Sequence, residues 1–249
     1  MLEGLINPIF APLLKLPMLL AIGIIAFLVS LIITLVYKYT TNQNLMKTLK
    51  AEMKEFQKEI KELKHEPQKA MEVNKKAMET NMKYMMQSMK STLFTFLPII
   101  IIFDWMNAYI AFEPIMPSQE FTTTVLLDGN FKDGNIELIA PINVEIMSDN
   151  PKTVEDGKAI WLLKGKAGEY LLEYQFQGKS YMKELLISSS QEYSKPLKKV
   201  NDGFVKTVSI DNKPMKVLNL FGWKVGWLGT YIIFSLIFSM TLRKIIKVY

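Results

Sequence analysis

The sequence predicts an α-helical membrane protein with three transmembrane helices, a cytoplasmic antiparallel coiled-coil hairpin, and an inserted extracellular all-β domain of the immunoglobulin-like sandwich type. Three observations predict it. Apolar residues make up 49% of the 249-residue chain but are gathered into blocks at Leu16 to Val36, Leu93 to Phe112 and Val225 to Leu242. About 20 mainly apolar residues in a helix cross the ~30 Å hydrocarbon layer of a bilayer. A charged, helix-forming stretch separates the first two blocks, and between the second and third the pattern changes from helical spacing to alternation.

These boundaries divide the chain into an interfacial segment with the first span (1–37, N-terminus outside), the hairpin (38–90), the second span (91–112), the β-domain (113–216) and the third span with a basic tail (217–249). The interfacial segment holds Pro8, Pro12 and Pro17 among apolar residues, which breaks it before the first span. A secretory signal is the competing reading. It is disfavoured because the basic cluster follows the apolar run, which is long and lacks a small-residue cleavage site, so the first span is a retained anchor. The third block is interrupted only by small or hydroxylated residues, which transmembrane helices tolerate.

Charge sets the expected orientation. Residues 38–90 hold 12 lysines against 7 glutamates, and the tail adds Arg243, Lys244 and Lys247 with no acid. Basic flanks mark the cytoplasmic side, so the N-terminus is expected outside a plasma membrane and the C-terminus inside. The chain has no cysteine, which excludes disulfides, thiol catalysis and cysteine-ligated metals. Arg243 is its only arginine.

Within the hairpin, Leu45, Leu49, Met53, Phe56, Ile60 and Leu63 form one apolar seam at helical spacing, and Pro67 stops it. A second seam follows in Met71, Met78, Met82, Met85 and Met89, facing the partner helix, with Met86 beside it. Methionine packs adaptably against varied apolar partners, so this run reads either as a substrate-capture surface or as the core of the hairpin. The two shafts are expected to continue into spans one and two.

In the external region, Phe121 to Leu127, Ile136 to Ile139, Asn143 to Met147, Ala159 to Leu163, Tyr170 to Phe176 and Tyr181 to Ser188 alternate, with Asp-Gly, Asn-Pro and Gly-containing turns between them. Ala167-Gly168-Glu169-Tyr170 resembles a tyrosine corner, and Trp161 is a candidate core residue. Lys195 to Pro214 reads as an undefined return segment.

No catalytic constellation is present: there is one histidine, His65 at the hairpin turn, no phosphate-binding glycine loop and no paired carboxylates inside a span. An enzyme, a cofactor and a metal site are therefore not expected. The polar residues of the spans are more informative. Ser30 and Thr34, then Ser91, Thr92 and Thr95, then Ser235, Ser239 and Thr241 fall in the half of each span nearer the cytoplasm. Turned together they would make a hydrophilic groove; turned apart, each would bond its own helix backbone. Asp104, with Asn107 near it, is either an intramembrane functional acid, costing at least ~2.5 kcal/mol to bury in lipid, or an interfacial residue beside an anchoring Trp105.

The order of span, basic hairpin, span, external segment, span and basic tail resembles the archaeal YidC-like proteins of the YidC/Oxa/Alb insertase superfamily, relatives of the third subunit of the endoplasmic-reticulum membrane protein complex. The residues that carry it are Leu97-Pro98-Ile99-Ile100 through Phe103-Asp104-Trp105-Met106, and Gly226-Trp227-Leu228-Gly229-Thr230-Tyr231 through Leu242-Arg243-Lys244, within 5–112 and 217–247. The resemblance implies a three-helix core around a cytoplasm-facing hydrophilic groove that eases polar segments of new membrane proteins across the bilayer. Bacterial members place an arginine in that groove, and here no span interior contains one.

The expected function is that of an insertase or chaperone acting on nascent membrane proteins, with membrane lipids and a ribosome, through the basic hairpin and tail, as partners, and not DNA. A structural or adhesion protein with an oligomerising hairpin is the alternative. An ion or solute conduit is the third reading and would require oligomers.

Overall fold

A computed structural model describes residues 3–129, 131 and 133–248. The chain divides into a helical unit, which runs to Trp105 and resumes at Leu228, and a β unit, Met106–Trp227.

The helical unit opens with α1 (Glu3–Phe10) and a 3-10 turn, Ala11–Lys15, in the segment expected to be interfacial and broken by prolines. Helix α2 (Met18–Thr40) is apolar along most of its length and long enough to cross a membrane. It ends at Thr41, and Asn42 caps α3 (Gln43–Glu62) by accepting the Leu45 amide at 3.1 Å, using the orphan donors of a helix start. The first shaft is therefore interrupted between span and hairpin. The second is not: α4 runs from Pro67 to Tyr109 through both regions. It bends by 41° between Phe96 and Pro98, where proline removes a backbone donor and crowds the preceding turn. Among the described residues, helix α5 (Trp227–Ile246) is the second that alone is long and apolar enough to span, and α4 makes a third only if its bent pair, Pro67–Phe96 and Pro98–Tyr109, is counted as one span.

Burial on α3 and α4 follows a spacing of three and four residues. On α3, Met46 and Leu49 are buried and Met53, Phe56, Ile60 and Leu63 half-buried. The expected seam thus holds except at its start, since Leu45 faces outward and Met46 inward. On α4 the sheltered residues are Ala70, Val73, Ala77, Thr80, Tyr84, Gln87 and Ser91. This stripe is not the expected methionine seam. Apolarity alone favours methionine, but the sheltered face is the one that carries the small residues Ala70, Ala77, Thr80 and Ser91, which let a neighbour approach closely, with Val73, Tyr84 and Gln87 among them.

The β unit contains β1 (Glu120–Leu127), β2 (Asn135–Ile139), β3 (Val144–Ile146), β4 (Lys152–Thr153), β5 (Lys158–Gly165), β6 (Gly168–Phe176), β7 (Lys179–Ile187), β8 (Leu197–Lys199), β9 (Val205–Ile210), β10 (Lys216–Leu220) and β11 (Trp223–Gly226). Five strands form one sheet in the order β3-β5-β1-β9-β8 and four form another, β4-β2-β6-β7, with every pair antiparallel. Alternate residues of both enter one core, Val125, Trp161, Leu163 and Val208 from the first sheet and Ile136, Leu138, Leu172 and Tyr174 from the second. Two sheets sharing a core make a sandwich. The Tyr174 hydroxyl reaches Thr123 Oγ1 at 2.5 Å, and Thr123 donates to the Ser209 carbonyl at 2.8 Å, so the buried hydroxyls bridging the sheets are satisfied. Tyr170 donates back to the Lys166 and Ala167 carbonyls, the bonding of a tyrosine corner.

Lys183 points inward on β7 and is 3% exposed; its ammonium donates to the carbonyls of Glu184 and Lys195, each at 2.8 Å. Burial pushes its pKa down from 10.5 to about 8. The unfolded chain then binds more protons than the folded one between these values, so stability rises with pH through that window. Tyrosines begin to oppose this only above about pH 10, their ordinary range. The unfolding midpoint of the β unit is expected to be higher near pH 9.5 than near pH 7.5, and to lose that rise in Lys183→Met; thermal unfolding followed by Trp161 emission, with the other tryptophans replaced by phenylalanine, measures both.

Candidate functional site

Helix α2 meets α5 along Phe27 and Phe238, whose rings lie 5.5 Å apart at 84°. Where the two helices carry hydroxyls, the Ser30 hydroxyl donates to the Ser235 carbonyl at 3.4 Å. Thr34 lies one turn along and donates to the Ser30 carbonyl at 2.7 Å; both residues are buried. On α4, Ser91 and Thr95 are buried, and Thr95 donates to the Ser91 and Thr92 carbonyls. Ser235 and Ser239 are half-buried, and Ser235 also donates to Ile232. Thr92 and Thr241 face outward and bond Ser88 and Ile237. The structure thus brings Ser30, Thr34 and Ser235 together, while the hydroxyls with a resolved acceptor use backbone carbonyls. A neighbouring groove of about 420 Å³ between α2 and α5 is apolar, lined by Leu19, Leu20, Gly23, Ile24, Phe27, Phe234 and Phe238.

The methionines lie elsewhere. Met71, Met78, Met82, Met85, Met86 and Met89 are all exposed, by 48% to 73%. Beyond Met89 the same helical face continues as Leu93, Phe96 and Ile100, which are also exposed. From Met71 to Phe96 the stripe covers about 38 Å at 1.5 Å per residue. An apolar face of that length on a charged helix joins the hairpin to the apolar end of α4 without a break in the chain, and exposed apolar surface of this extent marks an interaction or lipid-contact site.

Asp104 and Asn107 are exposed on one face near the end of α4, whereas Trp105 between them is fully buried. The indole N–H of Trp105 donates to Asn7 Oδ1 at 3.1 Å and its ring packs 5.2 Å from Phe10. Trp105 is therefore a packing residue that fastens α1 to α4, not an outward aromatic anchor. Asp104, five residues from the helix end, suits the interfacial reading, since only a few ångströms of helix separate it from Tyr109.

Three groups escaped the sequence reading. Asn7 and Phe10 carried no periodic signal. Arg243 lies over the Tyr37 ring at 5.1 Å, so the one arginine of the sequence links α5 to the end of α2. Single aromatics at helix ends give no pattern to read. In the β unit, the Tyr193 hydroxyl accepts the Ala111 amide and donates to the Asn107 carbonyl, both at 2.9 Å, and burial pushes its pKa up to about 12. It satisfies a carbonyl left open at the end of α4.

No curated protein and no solved structure matches the chain. Residues 4–130, slightly more than half of it, match the family described as integral membrane protein EMC3/TMCO1-like. The matched stretch contains α1, less its first residue, through α4 and all of β1, and so both the exposed methionine stripe and the hydroxyls of α2 and α4. The chain therefore belongs to the EMC3/TMCO1-like family of integral membrane proteins, an insertase-related family within the Oxa1/YidC/Alb3/EMC3 superfamily.

Proposed function

We propose that the chain is a non-enzymatic insertase or chaperone for nascent membrane proteins, of the archaeal YidC-like kind. In this reading α2, the bent end of α4 and α5 are three spans of the plasma membrane, with the N-terminus and the β sandwich outside. The α3–α4 hairpin and the Arg243 tail lie in the cytoplasm, where their lysines meet anionic lipid headgroups or ribosomal RNA. The hairpin is an antiparallel coiled coil whose α3 side chains interleave with the small residues of α4, Phe56 with Ala77, Ile60 with Val73 and Leu63 with Ala70.

The observation that carries the reading is the exposed stripe from Met71 to Ile100. A new apolar helix meets methionines that adapt to its side chains, moves along one face of α4, and arrives at the level of Ser30, Thr34, Thr95, Ser235 and Ser239. There, hydroxyls and the Tyr37–Arg243 cluster offer polar partners to its hydrophilic flanks while its apolar body leaves toward lipid. Asp104 and Asn107 mark the far interface.

Photocrosslinkers at Met82, Met85, Ser235 and Ser239 are expected to capture ribosome-bound nascent membrane helices well above Lys76 and Lys83, which lie on another face of α4. Equal labelling at all six positions would overturn the proposal. Capture of a second copy of the chain at the methionines would instead support the structural or adhesion reading, in which the stripe is buried between protomers.

A further inference from the structure

Strands β10 and β11 form a two-stranded sheet of their own, outside both sheets of the sandwich. Their register pairs Leu218 with Val225, Asn219 with Lys224 and Leu220 with Trp223. Successive cross-strand pairs point to opposite faces. One face is therefore apolar, made of Leu218, Val225, Leu220 and Trp223, and the other carries Asn219 and Lys224. The turn is Phe221-Gly222, with φ of +52° and +93°, the two positive values of a type I′ turn. That turn favours asparagine before glycine; a bulky aromatic in the left-handed region is disfavoured. Phe221 is nonetheless there, fully exposed at the tip, and Trp223 beside it is 72% exposed.

An isolated two-stranded hairpin is marginal in water; here Val225 is buried and Leu218 and Leu220 are half-buried, while the largest apolar side chains, Phe221 and Trp223 at the turn end, are covered by none of the described residues. Its surroundings identify the cover. β11 ends at Gly226 and α5 begins at Trp227, with no linker. At 20 residues α5 is about 30 Å long, the whole thickness of the hydrocarbon layer, so as a span it has no spare turn and its first residue lies at the interface. Aromatic side chains concentrate at that depth, and lysines such as Lys213, Lys216 and Lys224, all exposed, attract anionic headgroups.

We propose that the β10–β11 hairpin is a membrane-surface anchor: Phe221, Trp223 and Leu220 enter the interfacial zone of the leaflet where α5 begins, and Asn219 and Lys224 face the headgroups. The occupant of the exposed turn end of that face is lipid. The anchor tethers the β unit to the bilayer next to the third span. This rests on the reading of α5 as a span, so the test reports on the two separately.

The chain has no native cysteine, so Phe221→Cys, Gln177→Cys on the β6–β7 turn and Leu236→Cys in α5 can each be labelled with an environment-sensitive fluorophore in the full chain, reconstituted in phosphatidylcholine/phosphatidylglycerol vesicles. The label at 221 is expected to be quenched several-fold more than that at 177 by a spin label near the lipid headgroup, and several-fold less by aqueous iodide. A label at 236 quenched by deep spin labels establishes the span independently; with that result in hand, a label at 221 as open to iodide as the one at 177 overturns the anchor. Protection from iodide without lipid quenching also overturns it, because a protein would then cover the tip. To exclude a dye-driven result, Trp223 is made the only tryptophan with Phe221 intact. Its emission is expected to be quenched by brominated lipid and to shift to the red in Phe221→Ser; emission indifferent to brominated lipid counts against the anchor.

Discussion

Trp161→Ala is expected to destabilise the β unit by about 3–5 kcal/mol, the range for removing a large aromatic from a well-packed core. Trp161 is fully buried between the two sheets, packs edge-on to Tyr174 with centroids 5.6 Å apart, and donates its indole N–H to Asn150 Oδ1 at 3.3 Å. The same Asn150 side chain pairs with both the amide and the carbonyl of Leu138 at 2.9 Å, closing the edge of β2. Loss of the indole therefore opens a cavity and removes one partner from an amide that links β2 and β5. Against a typical domain stability of 5–15 kcal/mol, this is a large share. Ile160 is the internal control: it is adjacent in sequence, 47% exposed on the opposite face of β5, and Ile160→Ala is expected to change stability by no more than about 1 kcal/mol. Denaturant unfolding of the full chain, read in the β-sheet signal, compares them. Equal costs at the two positions would mean that the alternation in β5 does not define the core.

Most of that sandwich was readable because half-buried antiparallel strands write their orientation at period two. Phe121, Thr123, Val125 and Leu127 alternate without exception, as do Ala159, Trp161 and Leu163, and their strands lie where the alternation put them. Strand β9 was missed within the segment read as an undefined return, although it is paired in the middle of the five-stranded sheet. Its buried residues are Val205, Val208 and Ile210, and the register against β1 shifts between Leu126 and Leu127. A bulge breaks strict alternation, and with it the signal. The β10–β11 hairpin fell almost wholly within 217–249, the segment read as the third span and tail, and its last two residues, Val225 and Gly226, opened the apolar run; the Phe221-Gly222 turn lacks the asparagine that usually marks such a hairpin. Of the hydroxyl residues expected to share a groove, Ser30 and Ser235 do meet, while Thr92 points away. Their positions along each helix could be counted from the sequence, but the facing of α4 depended on which of two stripes packs, and the methionine stripe, though the more apolar, is the one left exposed.

On the proposed function, that choice of stripe separates capture from scaffold on one helix. Replacing Met71, Met78, Met82, Met85, Met86 and Met89 together by serine is expected to cost the hairpin only the difference in helix propensity, a few tenths of a kcal/mol per site and about 1–2 kcal/mol in all, since all six are exposed and no buried contact is lost. Crosslinking of nascent helices from Ser235 should nevertheless fall by at least about tenfold, the effect of losing roughly 1.4 kcal/mol of binding, less than the transfer free energy of a single buried apolar side chain. Ala77→Phe should do the reverse in kind. Ala77 lies on the sheltered face opposite the stripe, where a ring overpacks the contact proposed with Phe56 and costs about 1–3 kcal/mol; the hairpin should melt earlier while its methionines stay available. A scaffold hairpin would give the opposite pair of results. If the stripe were an oligomer interface, six serines would dissociate the oligomer and lower its melting temperature, and leucines would restore both. For a capture surface, leucine should restore binding only to substrates whose side chains suit its fixed branching, because the adaptability of the thioether is lost. Measuring stability and capture on the same two variants therefore distinguishes a surface kept apolar for passing helices from one kept apolar for itself.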